Sequence, residues 1–304
     1  MRSKSDKKKS LVPRLRFPEF REAGAWEVKR LGEIVDITGG GTPSRKNQDF
    51  WEGDIPWVSS SDISEDFVKE ISITRFITPG AIQKSATKLI PKNSILLVSR
   101  VGVGKLAITR KPICTSQDFT NLTPHKYNEL FLAYYLKSIS HVFESFNQGM
   151  AIKGFTKEDV ESLTLALPDV KSEEQQKIAH CLSSLDEVIG LQAKKVQALK
   201  QHKKGLMQQL FPAEGETTPR LRFPDFREAG AWEVKRLGEI FQERTERDSS
   251  GLELLSVTMS EGVIKTSQLD RKNNASSDLS NYKNVYPNDI VYNSMRMWQG
   301  ASGV

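Results

Sequence analysis

Cysteine and histidine are scarce in this chain of 304 residues, which contains two cysteines and four histidines. Cys114 and Cys181 lie far apart and do not form the CxxC spacing of a zinc or redox site. The histidines are scattered along the sequence at His125, His141, His180 and His202. The chain therefore has neither a disulfide framework nor a cluster of metal ligands, and its free thiols are typical of the cytoplasm.

Long hydrophobic runs are also missing, since no stretch approaches the roughly 20 apolar residues that a membrane span requires. The start of the chain, Met1–Ser10, is basic but lacks the apolar stretch of a secretory signal. With 38% hydrophobic residues and a mean hydropathy of −0.46, the chain can still build globular cores. The length suggests about two domains. We therefore expect a cytoplasmic protein with no membrane partner.

The net charge is +6 and the pI is near 9.1, which suits a polyanionic partner such as DNA. Part of this charge lies in the first ten residues, where a flexible basic tail is common in proteins that never bind nucleic acid. Charge alone therefore does not identify the partner.

A long internal repeat is the most informative feature of the sequence. Residues Pro13–Ile34 and Pro219–Ile240, called here the first and second framing segments, differ at one of 22 positions, Glu19 against Asp225. The repeat period is far longer than the about 20–50 residues of a solenoid unit. The chain therefore contains two copies of a large unit, with near-identical framing segments and diverged interiors. Such a design suits a modular recognition protein, in which the framing segments hold the geometry and the interiors select the ligand. Two copies of a generic domain are the alternative.

Short β-type runs alternate with helical patterns in the first copy, which predicts a mixed α+β domain. Trp26, Val28, Leu31 and Ile34 have near-helical spacing and are expected to cover one edge of it. The predicted strands are Ile55–Val58, Ile95–Ser99, Lys105–Thr109 and Phe119–Leu122, and a helical stretch is predicted at Asn128–Phe146.

A long helix is predicted after Pro168. Ser172–Gln175 matches a capping box, and no proline follows until Pro212. A heptad seam runs along it through Ile178, Leu182, Leu185, Ile189, Gln192, Val196, Leu199, Lys203, Leu206 and Leu210. A helix from 173 to 210 would be about 57 Å long. Its seam is expected to pack against a partner helix; an amphipathic helix lying on its own domain is the alternative.

Two stretches of the sequence resemble enzyme motifs without matching them. Ser99–Leu106 resembles a phosphate-binding loop but lacks the glycine and the hydroxyl residue required at its two ends. Pro224–Lys235 has the shape of a PD…ExK nuclease motif, but in the first copy the aspartate is Glu19. The N-P-P-aromatic tetrad of adenine methyltransferases is absent. A stand-alone metal-dependent DNA endonuclease and a non-catalytic coiled-coil adaptor remain as alternative functions.

The order of motifs around the repeat resembles the specificity subunit of type I restriction-modification systems. The residues that carry this likeness are Leu31–Ile34, Gly40–Ser44, Gly149–Asp159, Leu167-Pro168 and Glu173–Ala179. The resemblance implies two target-recognition domains, each of which reads one half of a split DNA site, held apart by long helices. It also implies adenine-N6 methyltransferase subunits and a motor-nuclease subunit as partners. S-adenosylmethionine, ATP and magnesium would then belong to those partners, and this chain would hold no cofactor or metal and catalyse nothing.

The resemblance also assigns the domains and leaves the second one incomplete. We expect a disordered basic tail at 1–12, a first target-recognition domain at 13–168, a long coiled-coil-type helix within 169–211, a linker at 212–218 and a partial second α+β target-recognition domain at 219–304. Half of a sheet would leave open edges, so 241–304 is expected to pack poorly alone. The unpaired helix seam suggests a self-dimer as a further hypothesis.

Direct DNA contact requires donors and acceptors at base edges and cations on phosphates. Residues of these types cluster beside glycine turns and at predicted strand ends, where a solvated loop is the alternative role. The predicted DNA-binding residues are Thr42, Ser44, Arg45, Lys46, Ser60, Arg100, Lys105, Gln148 and Lys153.

Overall fold

The computed structural model describes residues 11–146, 154–247, 251–259, 261–269, 278–294 and 300–304. The chain divides into two units, Met1–Gln201 and His202–Val304. Of the predicted DNA-binding residues, Gln148 and Lys153 lie outside the described residues.

The described residues of the first unit form ten short strands, four of which correspond to the predicted runs. Their bounds are β1 Glu27–Arg30, β2 Val35–Gly39, β3 Ile55–Val58, β4 Arg75–Ile77, β5 Leu89–Ile90, β6 Ile95–Val98, β7 Leu106–Ile108, β8 Ile113–Thr115, β9 Phe119–Pro124 and β10 Thr164–Leu167.

These strands form two four-stranded sheets and one separate pair. The first sheet is antiparallel throughout, in the order β2-β9-β6-β7. The second sheet has the order β4-β3-β8-β5, in which β3 and β8 run parallel and the other neighbours antiparallel. Strand β1, from the first framing segment, pairs antiparallel with β10, with Glu27 opposite Leu167 and Arg30 opposite Thr164. The framing segment is thus joined to the strand that directly precedes the long helix.

The two sheets face each other across an apolar layer. In β6, Leu96 and Val98 belong to this inter-sheet cluster, whereas Ile95 and Leu97 belong to a larger cluster that includes the helices. The strand is therefore buried on both faces, which explains its unbroken Ile-Leu-Leu-Val sequence. On the other face of the second sheet, Trp57 and Cys114 form a third cluster. The unit is a layered α/β structure. Because successive side chains point to opposite faces of a strand, the position of a residue along its strand decides which layer its side chain enters.

The helices of the first unit are short until the last one, which continues into the second unit. They are α1 Pro79–Gln83, α2 Glu129–Ser138, α3 Ser140–Ser145, α4 Lys157–Ser162 and α5 Glu174–Leu210. The prediction of one helical stretch over Asn128–Phe146 was wrong, because the stretch is divided into α2 and α3. Helix α2 ends before Ile139, whose backbone lies outside helical geometry. Helix α5 is continuous over 37 residues, a length of about 55 Å. The predicted mixed α/β class with a long helix is confirmed.

The capping box predicted at the start of α5 forms only in part. Ser172 Oγ accepts a hydrogen bond from Glu174 N at 3.1 Å, as predicted. The Gln175 side chain, however, is buried and accepts from Asn128 N at 2.9 Å. Gln175 therefore links the start of α5 to the start of α2, because that backbone N–H also needs a partner inside the fold.

The near-helical spacing predicted for the first framing segment was also misleading. Val28 lies in strand β1 and is 55% exposed, whereas Leu31 begins a short 3-10 turn and is fully buried with Ile34. Trp26 packs edge-on against Phe131 at 6.0 Å. The apolar set does cover an edge of the domain, but through a strand and a turn.

In the second unit, the described residues form small antiparallel pairs. Helix α6 Leu237–Ile240 is followed by strands β11 Leu255–Thr258, β12 Gly262–Lys265, β13 Val291–Tyr292 and β14 Ser302–Gly303. Strand β11 pairs with β12, and β13 with β14. Ala301 is the one buried hydrophobic side chain among this unit's described residues. No helix in the described ranges of the chain combines the length and hydropathy needed to cross a membrane.

Candidate nucleic-acid interface

A polar turn, Ser116–Asp118, lies between β8 and β9 and connects three neighbouring loops. Ser116 N donates to Val58 O at 2.9 Å, which holds the loop that follows β3. Ser99 N donates to Asp118 O at 2.7 Å, which holds the loop that follows β6. Thr42 Oγ1 hydrogen-bonds Gln117 Oε1, which holds the loop that follows β2. This central turn therefore gathers three segments predicted to contact DNA at one end of the two sheets.

The glycine-rich loop after β2 is packed tightly against this central turn. A Cβ on Gly40 would lie 2.0 Å from Ser116 O, so only glycine permits this approach of the two backbones. Gly41 N donates to Thr115 O at 2.8 Å, and Trp57 Nε1 donates to Gly41 O at 3.0 Å. These glycines therefore bring the loop close to the protein's own backbone, which holds the loop against the central turn.

Beyond the glycines, the loop presents polar groups to solvent. Thr42 is half-buried, whereas Ser44, Arg45 and Lys46 are exposed. Ser44 O accepts a hydrogen bond from Trp51 Nε1 at 3.2 Å, which fixes the backbone just before the two cations. Neither Arg45 nor Lys46 forms an ion pair with the residues that the structure describes. Both cations are therefore available to a phosphate.

The serine loop after β3 is ordered by an arginine beneath it. Asp62 Oδ2 accepts from Ser59 N at 2.7 Å. Arg75 donates to Ser59 Oγ at 2.8 Å, forms an ion pair with Asp62, and lies 4.7 Å above the Trp57 ring. Ser60 is half-buried at the tip of this loop. The Asp62 carboxylate is consequently a structural group here, because its hydrogen bonds hold the loop closed.

The loop after β6 carries one exposed cation and one paired cation. Arg100 is exposed, and Gly102 and Gly104 have positive φ values of 94° and 87°. Lys105 Nζ lies 2.5 Å from Glu65 Oε1. The hydrogen bond from Lys105 holds the pKa of Glu65 below its usual value, so the carboxylate is ionised at neutral pH. Among the residues that the structure describes, Arg100 has no ion-pair partner, whereas Lys105 would first have to leave Glu65 to bind a ligand.

Sequence reasoning missed several groups at this end of the unit. Gln117 is exposed at the centre of the loops, and its amide can pair with the edge of an adenine. Lys84 and Lys88 are also exposed, in the segment whose Ala86 and Thr87 pack against Gly41. A polar Thr-Ser-Gln-Asp run between two apolar strands was the available signal for the central turn.

The predicted seam of α5 divides into an anchored part and an exposed part. Ile178 packs against the core of the first unit. Tyr134 donates to Asp186 Oδ2 at 2.6 Å, and Lys69 bonds Ser183 Oγ, so the first turns of α5 are fixed to the domain. From there Leu185, Ile189, Val196 and Leu199 are 51–57% exposed, and Leu182 is 37% exposed. Leu206 and Leu210, which belong to the second unit, are half-buried.

The described residues contain no group of three or more His, Cys, Asp or Glu side chains placed to hold a metal ion. In the PD…ExK-like stretch, Glu233 Oε2 pairs with Lys235 Nζ at 2.8 Å. The equivalent pair in the first framing segment, Glu27 with Lys29, is 3.1 Å apart. This carboxylate–lysine pair is therefore a property of both framing segments.

Comparison with known proteins identifies the family. The model of the type I restriction modification DNA specificity domain matches residues 24–201, more than half of the chain. The chain therefore belongs to the type I restriction modification DNA specificity domain family.

Individual relatives agree with this assignment. The chain is 33% identical over 228 residues to the type I restriction enzyme MjaIX specificity subunit of Methanocaldococcus jannaschii, a match that covers 71% of this chain and 52% of the relative. It is also 33% identical over 175 residues to the EcoR124I/EcoR124II specificity subunit of Escherichia coli, covering 55% of this chain and 42% of the relative. The chain thus spans about half the length of these curated relatives.

Among solved structures, the HsdS subunit from Thermoanaerobacter tengcongensis is similar at 22% identity and a TM-score of 0.42. That match covers 59% of this chain and 41% of the other.

Proposed function

We propose that this chain is a sequence-recognition subunit that binds double-stranded DNA for a type I restriction-modification complex. The observation that carries the proposal is the central turn Ser116–Asp118, which brings three polar loops to one end of the first unit. Exposed cations flank these loops at Arg45, Lys46 and Arg100. Cations that contact phosphates position a protein on DNA, and an exposed amide such as Gln117 can read a base.

The wider role follows from the family and from the repeat. Each unit would read one half of a split site, and α5 would separate the halves. Adenine-N6 methyltransferase subunits and a motor-nuclease subunit would carry the chemistry, with S-adenosylmethionine, ATP and magnesium bound to them. This chain would work in the cytoplasm as a non-catalytic subunit. The curated relatives support this role, since their names describe specificity subunits of restriction enzymes.

DNA recognition is tested by mapping methylated adenines after the chain is combined with a methyltransferase partner. Gln117→Ala should relax the preference at one base pair by about 1–3 kcal/mol, because an amide–adenine pair is lost. Arg45→Ala should weaken binding to all sequences and reduce the salt slope by about 1, because a phosphate contact is lost. Gln176→Ala, on the exposed surface of α5, is the matched control. Wild-type behaviour of both loop variants would contradict the proposal.

The exposed seam of α5 is proposed to bind a partner helix, either in a methyltransferase subunit or in a second copy of this chain. Four apolar side chains of the seam, Leu185, Ile189, Val196 and Leu199, are more than half exposed, which is costly unless another surface covers them. A Leu185→Glu, Ile189→Glu variant should lose the partner, because two charges would enter the interface.

Co-purification with the methyltransferase and sedimentation of the chain alone separate the two partners. A Lys194→Glu, Lys195→Glu variant on the same helix is the control for charge. Retention of all associations by the seam variant would exclude a seam interface.

A further inference from the structure

The turn between β6 and β7 is a closed hairpin loop. Val98 N donates to Lys105 O at 2.8 Å, and Gly104 N donates to Val98 O at 3.0 Å. Within the loop, Gly102 and Gly104 have positive φ values, a backbone conformation that favours glycine. The residues between these hydrogen bonds therefore form a short tip beyond the ends of the two strands.

The base of this loop is fixed to the central turn. Ser99 N and Arg100 N both donate to Asp118 O, at 2.7 Å and 3.3 Å, and Ser99 Oγ donates to the same oxygen at 3.0 Å. Ser99 O accepts a hydrogen bond from Phe155 N at 3.2 Å. The backbone directly before Val101 is thus held in place, so the protein itself sets the position of Val101 beside the central turn.

The two valines of the loop have opposite environments. Val103 packs against the large apolar cluster of the first unit. Val101 is 75% exposed, and Leu89, at 50%, is the next most exposed large apolar side chain among the described residues from β2 to β10. Single exposed apolar side chains are common on protein surfaces, so the groups around Val101 have to decide its role.

The groups around Val101 suit DNA. Arg100, directly before it, is exposed, and Gln117 is exposed on the central turn, directly before the Asp118 that holds Arg100. Two adjoining loops therefore carry a cation for a phosphate, an amide for a base edge and an apolar side chain. Of the four bases, only thymine presents a methyl group in the major groove. The apolar side chain at this place therefore fits thymine.

We propose that Val101 is a specificity-determining residue that packs against the C5 methyl group of a thymine in the DNA target. The inference rests on the proposed DNA recognition and deepens it by naming the base that this loop selects. The contact would remove the valine and the methyl group from water together, which favours thymine. Cytosine lacks the methyl group and presents an amino group, to which valine offers no hydrogen-bond acceptor.

The test uses the full chain with its methyltransferase subunit and duplexes that carry the target sequence obtained by methylation mapping. Each thymine in turn is replaced by deoxyuridine, which removes the methyl group and keeps the hydrogen-bonding groups of the base. In fluorescence anisotropy, we expect one replacement to weaken binding about fourfold, the effect of one buried methyl group. This series of replacements needs no protein variant, so it does not depend on the folding of one.

Protein variants assign the methyl contact to Val101. Val101→Ala should weaken binding of the unmodified duplex by a similar factor and abolish the penalty of that replacement, because both changes remove the same contact. Val28→Ala, at a valine of β1 that is 55% exposed, is the matched control and should leave both affinities unchanged. Arg45→Ala should weaken binding of both duplexes equally, because a phosphate contact does not distinguish them.

Failure of this inference and failure of the proposed function give different results. Sequence-selective binding in which no replacement carries a penalty, or in which the penalty persists in Val101→Ala, would overturn the role of Val101 alone. Absence of sequence-selective binding by the wild-type complex would overturn the proposed function as well.

Discussion

Arg16 and Glu174 form a buried ion pair in the first unit, with their side chains only 6% and 1% exposed. The pair joins the first framing segment to the head of α5, residues separated by 158 positions. It raises the pKa of the Arg16 guanidinium through its hydrogen bond with Glu174. The start of the first unit and the start of its long helix are thereby fixed to each other.

Removing the Glu174 carboxylate should destabilise the first unit strongly. Glu174→Ala would leave Arg16 and Trp26 Nε1 without their shared acceptor. We expect a loss of about 3 kcal/mol in the free energy of unfolding, since a buried charge loses its partner. Urea denaturation followed by circular dichroism measures it. The neighbouring exposed Glu173→Ala is the control, and an equal effect of the two substitutions would contradict the role given to the pair.

Gly39, the last residue of β2, and Gly40, which follows it, should respond differently to substitution. Gly40→Ala would place a Cβ 2.0 Å from Ser116 O, whereas Gly39→Ala meets no atom within 4 Å. We expect Gly40→Ala to cost about 1–3 kcal/mol of stability by overpacking and also to weaken DNA binding, because the central turn must shift. Thermal unfolding and DNA titration of both variants test this expectation. Equal tolerance of the two alanines would show that the close approach is not required.

Much of the fold could be predicted from the sequence because local patterns agree with their final environments. The runs Ile55–Val58 and Ile95–Ser99 contain strands because their apolar side chains enter the layers on the two faces of the sheets. Helix α5 could be predicted because no proline interrupts its heptad pattern. Both features depend on consecutive residues, so their prediction requires no knowledge of distant contacts.

Features that depend on distant partners could not be predicted in the same way. Gln175 leaves its capping box for Asn128, and Val28 lies in a strand because β10 pairs with it. At the candidate site, the exposed cations were identified, but the pairing of Lys105 with Glu65 depends on residues 40 positions apart. The central turn was missed because its importance comes from the three loops that it connects.

The two cysteines should differ in reactivity towards alkylating reagents. Cys114 is buried between β3 and β5, and burial raises its pKa to about 11, whereas Cys181 is exposed on α5. At pH 8 the Cys114 thiol should stay protonated and inaccessible, since only the thiolate reacts. Iodoacetamide should therefore label Cys181 in the native chain and both cysteines in urea. Mass spectrometry of the labelled peptides checks this expectation, which native labelling of Cys114 would contradict.

Releasing Lys105 from Glu65 should strengthen DNA binding. The Glu65 carboxylate is charged at neutral pH, so its ion pair with Lys105 is present there. Because the hydrogen bond from Lys105 lowers the pKa of Glu65, the ion pair is lost only when the pH falls through that lowered value. Glu65→Gln removes the charge at neutral pH and leaves Lys105 free for a phosphate. The slope of log K against log salt concentration should then steepen by about 0.9. Glu129→Gln is the control, because it frees Arg110 at the opposite end of β7 from Lys105. A Glu65→Gln slope equal to that of wild type would place Lys105 outside the DNA-binding surface.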